Sequence, residues 1–380
     1  MRRRKIPLTL YVHFPWCLGK CSYCDFNSFV LTDDSLIPLY IEKLLQDLAQ
    51  EANNYPQDQL TSIYFGGGTP SLIPPTFLAS IIQRARDYFN CTTNIEITLE
   101  ANPETINLAI CQQLQAIGIN RISLGAQSFC DRTLKIIGRN HNSQHTIEAI
   151  GNIRTAGFHN FNLDLIFGLP QQTMDDAIID ITKALQFAPP HLSWYQLSLD
   201  FPGNHRRRIF STIPNHEQLW RIQQAGIAHL QHAGFQQYEV SAYAQNPAYF
   251  CQHNLNYWHY GDYLGIGSGA HGKVTLNNHQ IKRYIKIIDP QRYLVSNDYY
   301  EQVETVAKEK IPFEFMLNAL RLYQPITYDL MQRRTGIPIE SIYNKLQYAE
   351  ELGLINLTTT AIVVTELGKN FLNDLVEIFL

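Results

Sequence analysis

No stretch of this 380-residue sequence contains about 18 consecutive apolar residues, so an α-helical membrane span is excluded by length. Charge is also scarce. Asp, Glu, Lys and Arg make up 17% of the chain, and 30 basic residues stand against 34 acidic ones, which excludes a chain-wide polyanion-binding surface. Hydrophobic residues at 45% argue against disorder and provide for a sizeable core. A disulfide framework is missing as well: three of the seven cysteines crowd into Cys17, Cys21 and Cys24, and Cys91, Cys111, Cys130 and Cys251 are scattered. A reducing cytoplasm is the expected compartment. The basic start, Met1 to Lys5, is followed by Pro7, His13 and Pro15 and not by an apolar run with a small-residue cleavage site. It reads as a solvated terminus, not as a secretory signal.

What is present is an α/β rhythm. Short β-rich runs recur at Thr9 to Phe14, Ser62 to Phe65, Ile95 to Glu100, Arg121 to Leu124, Phe161 to Ile166 and Ser193 to Leu199. Between them apolar residues fall at helical spacing, as in Leu39, Leu44, Leu45 and Leu48, or Ile178, Ile181 and Leu185. Polar residues sit at or near several strand ends: Glu100, Gln127 and Asp164. Spread over successive strands, they favour a barrel mouth over the single crevice of a doubly wound sheet. The expected fold is therefore an incomplete (β/α)6 TIM-like barrel over residues 1–200. An accessory region over 201–300 should follow, with a turn-rich break at Phe201 to Asn204, a helix from His216 to Ala233 and a hairpin from Val274 to Tyr284 turning at Asn277-Asn278. Residues 301–380 read as a winged-helix-like module with a hairpin from Ile355 to Val364. From Ile311 onward five basic residues (Arg321, Arg333, Arg334, Lys345, Lys369) face eight acidic ones (Asp329, Asp374 and six Glu), so no nucleic-acid partner is expected there.

The densest chemical signal is Cys17-x-x-x-Cys21-x-x-Cys24, in a loop directly after the first strand. Three thiolates can hold three irons of a [4Fe–4S] cluster and leave the fourth open. A structural zinc site would need a fourth ligand, which His13 is awkwardly placed to supply, and buried structural cysteines are the third reading. Gly66-Gly67-Gly68-Thr69-Pro70 follows the second strand. Three glycines let the backbone approach a ligand closely and expose N–H and C=O groups to a charged moiety. A tight turn explains them equally well, and the spacing is neither a phosphate loop nor a dinucleotide fingerprint.

Together, Tyr11-x-His13-x-Pro15-x-Cys17-x-x-x-Cys21-x-Tyr23-Cys24 and the glycine run closely resemble the radical S-adenosylmethionine (radical SAM) enzymes. The resemblance is to the branch that holds the oxygen-independent coproporphyrinogen III oxidase and its heme-chaperone relatives, and it covers nearly the whole chain. It implies a [4Fe–4S] cluster on Cys17, Cys21 and Cys24 that chelates S-adenosylmethionine (SAM), with reductive cleavage to a deoxyadenosyl radical. An electron donor such as flavodoxin or ferredoxin would then be needed. It further implies SAM-site roles for Tyr11, Tyr23, Gly67, Gly68, Thr69 and Glu100. Gln127, Arg139 and Asp164 match positions that in the oxidase help hold a second SAM.

Two departures bear on which activity the resemblance carries. Phe26 stands where the oxidase pattern has a fourth cysteine, and only ten residues precede Tyr11, where the oxidase carries an N-terminal extension. His253-Asn254-x-x-Tyr257-Trp258 matches an H-N-x-x-Y-W element of the chaperone branch, in which the histidine is implicated in binding heme. An imidazole beside two aromatic residues suits a porphyrin face, although a buried histidine in an aromatic core fits the same residues. His271 is a secondary candidate, and the run Arg206 to Arg208 could meet heme propionates. The expectation is a heme-binding protein, with no assigned catalytic residue, that passes heme to an acceptor hemoprotein of a respiratory chain. The alternative is oxidative decarboxylation of coproporphyrinogen III.

Overall fold

The computed structural model describes residues 6–55, 59–198, 212–276 and 279–380. Met1 to Lys5, the Phe201 to Asn204 break, the Arg206 to Arg208 run and the Asn277-Asn278 turn lie outside the described residues.

Six parallel strands form the centre: β1 (Leu8–Phe14), β2 (Gln59–Gly67), β3 (Asn90–Ala101), β4 (Arg121–Gln127), β5 (Phe161–Phe167) and β6 (His191–Gln196), each hydrogen-bonded to the next. The accessory region adds β7 (Gln236–Glu239), β8 (Ala242–Ala244), β9 (Asp262–Ile266), β10 (His271–Thr275), β11 (Ile281–Lys286) and β12 (Tyr300–Thr305). The twelve lie in one sheet in the order β12-β11-β10-β9-β1-β2-β3-β4-β5-β6-β8-β7. The first and last strands of this order are not paired with each other, so the barrel is open. β9 pairs with β1 in parallel, from Leu8 opposite Asp262 to Val12 opposite Ile266. It makes a seventh parallel strand where six were expected, because its Gly265 and Asp262 disguise a strand as a polar loop.

Alternation decides what faces where. Along β4, Ile122, Leu124 and Ala126 are buried in the main hydrophobic core beneath the helices, while Arg121, Ser123, Gly125 and Gln127 line a cavity on the opposite face. β5 repeats the pattern, with Leu163 and Leu165 in the core and Asn162 and Asp164 inward, as does β6, with Leu192 and Trp194 against Ser193 and Tyr195. A period of two thus separates an apolar outer layer from a polar interior. The outer layer is closed by amphipathic helices, among them Leu36–Asn54, Pro75–Tyr88, Ser143–Thr155 and Met174–Leu185. On the first of these Leu44 and Leu48 are buried, whereas Leu39 is exposed.

The helix Leu36–Asn54 is tied to β11 by a buried ion cluster. Lys286 Nζ donates to Asp47 Oδ1 at 2.6 Å and to Glu51 Oε1 at 2.7 Å, with all three side chains inaccessible to solvent. Tyr293 donates to Asp47 and Tyr284 to Glu51. This density of hydrogen bonds is what a buried charge cluster requires to offset its desolvation.

The expected helix after the break runs His216–His232, capped by Asn215, and the expected hairpin is β10 with β11. Beyond β12, helices Ile311–Ala319, Tyr328–Thr335 and Tyr343–Glu351 pack with the hairpin Ile355–Leu357/Ala361–Val364 around a second hydrophobic cluster that includes Phe315, Leu346, Ile355 and Leu375. The helices and hairpin of the expected winged-helix-like module are present, beginning at Ile311, since Tyr300–Thr305 is β12 of the main sheet. Among the described residues no helix is long and apolar enough to cross a membrane.

Candidate functional site

The cysteine loop leaves the end of β1 and is clamped at its base. Trp16–Cys17 pairs in parallel with Phe29–Val30, Phe29 N–H donates to Pro15 C=O at 2.7 Å and Leu31 N–H to Cys17 C=O at 2.9 Å. Lys20 Nζ crosses the loop to Ser28 C=O at 2.9 Å. Within it Cys17 is buried and Cys21 and Cys24 half-buried, and all three line a cavity of about 470 Å³. Burial pushes the Cys17 thiol up, and the nearby Cys24 and Cys21 add to the shift. Among the described residues no three His, Cys, Asp or Glu side chains converge on one metal ion. The thiols instead border a space of ligand-site dimensions, which fits a multi-iron cluster with room beside it.

Tyr23, Gly67, Gly68, Thr69, Glu100, Gln127, Arg139 and Asp164 line the same cavity. The glycine run sits where β2 meets the cysteine loop. Gly67 has φ +113°, and a Cβ on Gly68 would lie 2.4 Å from Trp16 C=O, so neither position admits a side chain. The N–H groups expected to face a ligand are committed within the protein: Gly67 to Glu100 Oε2 at 3.2 Å, Gly68 to Phe14 C=O at 2.7 Å and Thr69 to Trp16 C=O at 2.8 Å. The glycines are required first for that close approach, and Gly67, Gly68 and Thr69 line the cavity, with the Thr69 hydroxyl accepting from Asn102 Nδ2 at 3.1 Å.

Glu100 also accepts from Tyr64 Oη at 2.8 Å. Burial raises its carboxyl to about 7, opposed by the Tyr64 and Gly67 hydrogen bonds and reinforced by Asp164. Asp164 is likewise raised by burial, against hydrogen bonds from Asn162 (2.7 Å) and Ser123 (3.0 Å). Arg139 donates to Asn102 Oδ1 at 2.8 Å and Gly125 C=O at 2.9 Å, and its Nη1 lies 3.5 Å from Cys21 Sγ. Gln127, at φ +65°, accepts from Tyr195 Oη at 3.0 Å. Sequence reasoning missed Tyr64, Asn102, Arg121 and Tyr195. Asn102 and Tyr195 lie two residues beyond Glu100 and Ser193 on the same inward face, so the period of the strands was the available signal.

Tyr11 and His253 line a second, larger cavity of about 950 Å³. The two cavities share Asp25, Phe26, Tyr64, Gly67, Glu100, Asn254, Trp258 and Arg321 as walls. His253 belongs to the helix Gln252–Trp258, whose first N–H groups, those of Gln252 and His253, donate to the Glu96 carboxylate at 3.1 Å each. The His253 ring is 1% exposed and both its nitrogens are engaged, Nδ1 with Ser62 Oγ at 2.8 Å and Nε2 with Tyr257 Oη at 2.9 Å. Burial, with the Arg121 guanidinium nearby, pushes it down to about 3. Tyr11 is bonded to His13 Nδ1 at 3.0 Å, and burial holds its phenol well above the usual range.

Residues 11–185 match the radical SAM superfamily model and residues 306–371 the HemN C-terminal domain model. The chain is 41% identical to the heme chaperone HemW of Haemophilus influenzae over 378 residues and 40% identical to that of Escherichia coli over 374 residues, with 98% of each chain covered in both cases. The chain belongs to the HemW family. As a HemW-family radical SAM protein it has Cys17, Cys21 and Cys24 at and after the end of β1. In fold it is similar to the coproporphyrinogen III oxidase HemN of Escherichia coli, with a TM-score of 0.83 over 100% of this chain and 91% of that one, at 21% identity.

Proposed function

We propose that this protein is a heme chaperone, which binds heme, a [4Fe–4S] cluster and SAM and passes the heme to an acceptor hemoprotein, in the cytoplasm and for a respiratory chain. The observation that carries the reading is the pair of adjoining cavities: one bordered by three thiols and by Glu100, Arg139 and Asp164, and a larger one walled by Tyr257, Trp258 and Tyr263 that can take a flat apolar macrocycle. Relatives named heme chaperone HemW at about 40% identity support it. Seven unpaired cysteines suit a reducing compartment.

In this reading Cys17, Cys21 and Cys24 hold the cluster, and Glu100, Thr69 and Tyr23 with Gly67 and Gly68 bind SAM, whose cleavage would draw an electron from a flavodoxin or ferredoxin. Gln127, Arg139 and Asp164 are the remaining polar contacts, and Tyr11 borders the heme side. With cluster and SAM bound, the chemistry supplied is one-electron cleavage of a sulfonium. The protein's own residues orient the ligands. The proposal divides the chain into barrel, accessory and end units over residues 1–200, 201–300 and 301–380, with β9 and β12 joining the barrel's sheet from beyond the first boundary. His253, named from its motif, could reach iron only by giving up its bond to Ser62 or to Tyr257.

Titration of the full-length, anaerobically reconstituted protein with hemin tests the reading. A saturable Soret band at one equivalent, followed by transfer to an apo-hemoprotein, is expected. The competing reading, coproporphyrinogen III oxidation, predicts protoporphyrinogen in an anaerobic assay with SAM and reductant. Phe26, 57% exposed at the mouth of both cavities, stands in place of the oxidase's further cysteine, and steady turnover in that assay would overturn the chaperone reading.

A further inference from the structure

Three imidazoles line the larger cavity, those of His13, His253 and His271, and they differ in what their nitrogens are doing. His13 is 5% exposed, with Nδ1 on the Tyr11 hydroxyl at 3.0 Å and Nε2 on Asn27 C=O at 2.9 Å. His253 is held at both nitrogens by Ser62 and Tyr257. An imidazole whose two nitrogens are both bonded inside the protein must break one of those bonds, and leave its partner unsatisfied, to accept a metal. His271 makes no side-chain hydrogen bond among the described residues. It opens β10, beside the C-terminal ends of β1 and β9, and is exposed on the cavity side.

The cations of the cavity sort in the same way. Lys273 is paired with Asp262 at 2.9 Å, and Arg283 donates through Nε and Nη2 to Glu314 and through Nη1 to Tyr263. Arg321 forms no ion pair or side-chain hydrogen bond among the described residues, its buried Nε has no partner there, and its guanidinium lies 4.5 Å from the centre of the Trp258 ring. A cation stacked on an aromatic wall, with its N–H groups unspent, is a receptor for a carboxylate.

We propose that His271, not His253, is the protein's axial ligand to the iron of a tetrapyrrole seated in the larger cavity, and that Arg321 receives one of its propionates. The assignment rests on the heme-binding reading above. A ligand to iron must be neutral to offer its lone pair, and burial with the Arg283 charge nearby lowers the His271 imidazole. His253 becomes a positioning residue: between Ser62 on β2 and Tyr257 it fixes the helix that presents Trp258. Coordination here forms one Fe–N bond and displaces water or chloride from hemin, with no change of oxidation state.

The test is hemin titration of the full-length wild type, His271→Ala, His253→Gln and Arg321→Gln, read by Soret position, ferric spin-state bands and affinity. His271→Ala is expected to shift the Soret band and lose the imidazole-ligated spectrum, with restoration by added free imidazole. His253→Gln, which retains hydrogen bonding at the site, is expected to keep the wild-type spectrum. Arg321→Gln is expected to weaken hemin about tenfold, the scale of one charge-assisted hydrogen bond, but not hemin dimethyl ester, which lacks the carboxylates. Wild-type spectrum and affinity in His271→Ala, or loss of the imidazole spectrum in His253→Gln, overturns the ligand assignment while leaving the chaperone reading intact. Equal weakening of hemin and its diester in Arg321→Gln overturns the propionate contact. No binding by the wild type sinks the heme reading itself, and the assignment with it.

Discussion

Replacing Glu100 by Gln should make the ligand-free protein's stability less sensitive to pH, in a direction that the site geometry determines. The Glu100 carboxyl rises from an ordinary value of 4.5 to about 7, chiefly through burial. A carboxylate whose folded value is raised favours the folded state only while protonated. That contribution is fully present below about pH 4.5 and is lost as the pH climbs through 7. A shift of about two and a half units corresponds to about 3 kcal/mol at most, developed between roughly pH 5 and 8. The amide of Glu100→Gln cannot ionise, so its penalty, about 1 kcal/mol for the acceptor lost to either Tyr64 or Gly67, is the same at every pH. Urea unfolding of both forms at half-unit steps should show the variant slightly weaker at pH 4.5 and stronger than wild type by about 2 kcal/mol at pH 8. Parallel curves across that range would refute the claim that Glu100 is a proton-holding carboxyl in the free site. A ligand amine placed against Glu100 favours the ionised form, so SAM should bind the wild type more tightly at pH 8 than at pH 6.

The buried Lys286 cluster and the cysteine loop give two further predictions. Lys286→Met leaves Asp47 and Glu51 buried without their counter-ion and should cost about 3–5 kcal/mol in chemical denaturation; a loss under about 1 kcal/mol, the scale of an exposed pair, would mean the cluster is solvated. Replacing Cys17, Cys21 and Cys24 together by Ala should remove iron and sulfide from anaerobically reconstituted protein with little change in urea midpoint, since two of the three thiols are only half-buried; a full complement of iron in that variant would end the cluster assignment.

The barrel was legible because its strands are β-branched and aromatic runs with inward polar residues at a period of two, and because the chemistry of the cysteine loop is local in sequence. β9 was obscured by Asp262 and Gly265, which interrupt its apolar run, and pairing with β1 reveals it as a strand. The ties that decide the state of His253 were illegible for a different reason. Ser62 is 191 residues away, and Glu96, which caps its helix, precedes it by 157. Only Tyr257, four residues on in the same helix, was within reach of a sequence argument. A histidine in a motif therefore announced a site without revealing that its nitrogens are already spoken for.

The thiol-bordered cavity is lined by buried donors that lack partners. Arg121, Arg139, Trp258 and Arg321 each bury a side-chain N–H that finds no acceptor among the described residues, and all four line the thiol-bordered cavity. Each such donor costs about 1–3 kcal/mol when left unpaired, so a core that served stability alone would replace them with apolar side chains. Arg121, 2% exposed and set among Ser123, Asn162 and Asp164, is the extreme instance. Glu100 and Asp164 make the same point with opposite charge, since burial raises both and no described residue neutralises either by a direct ion pair. Cations and carboxylates that face one space without a direct ion pair, as Arg121 and Asp164 do, are complementary to a ligand that carries both signs. An amino acid sulfonium meets that requirement, and a dicarboxylate macrocycle meets the cationic half of it through Arg321, a residue the two cavities hold in common. Glu100, Trp258 and Arg321 border both cavities, so a ligand in either one faces these three side chains.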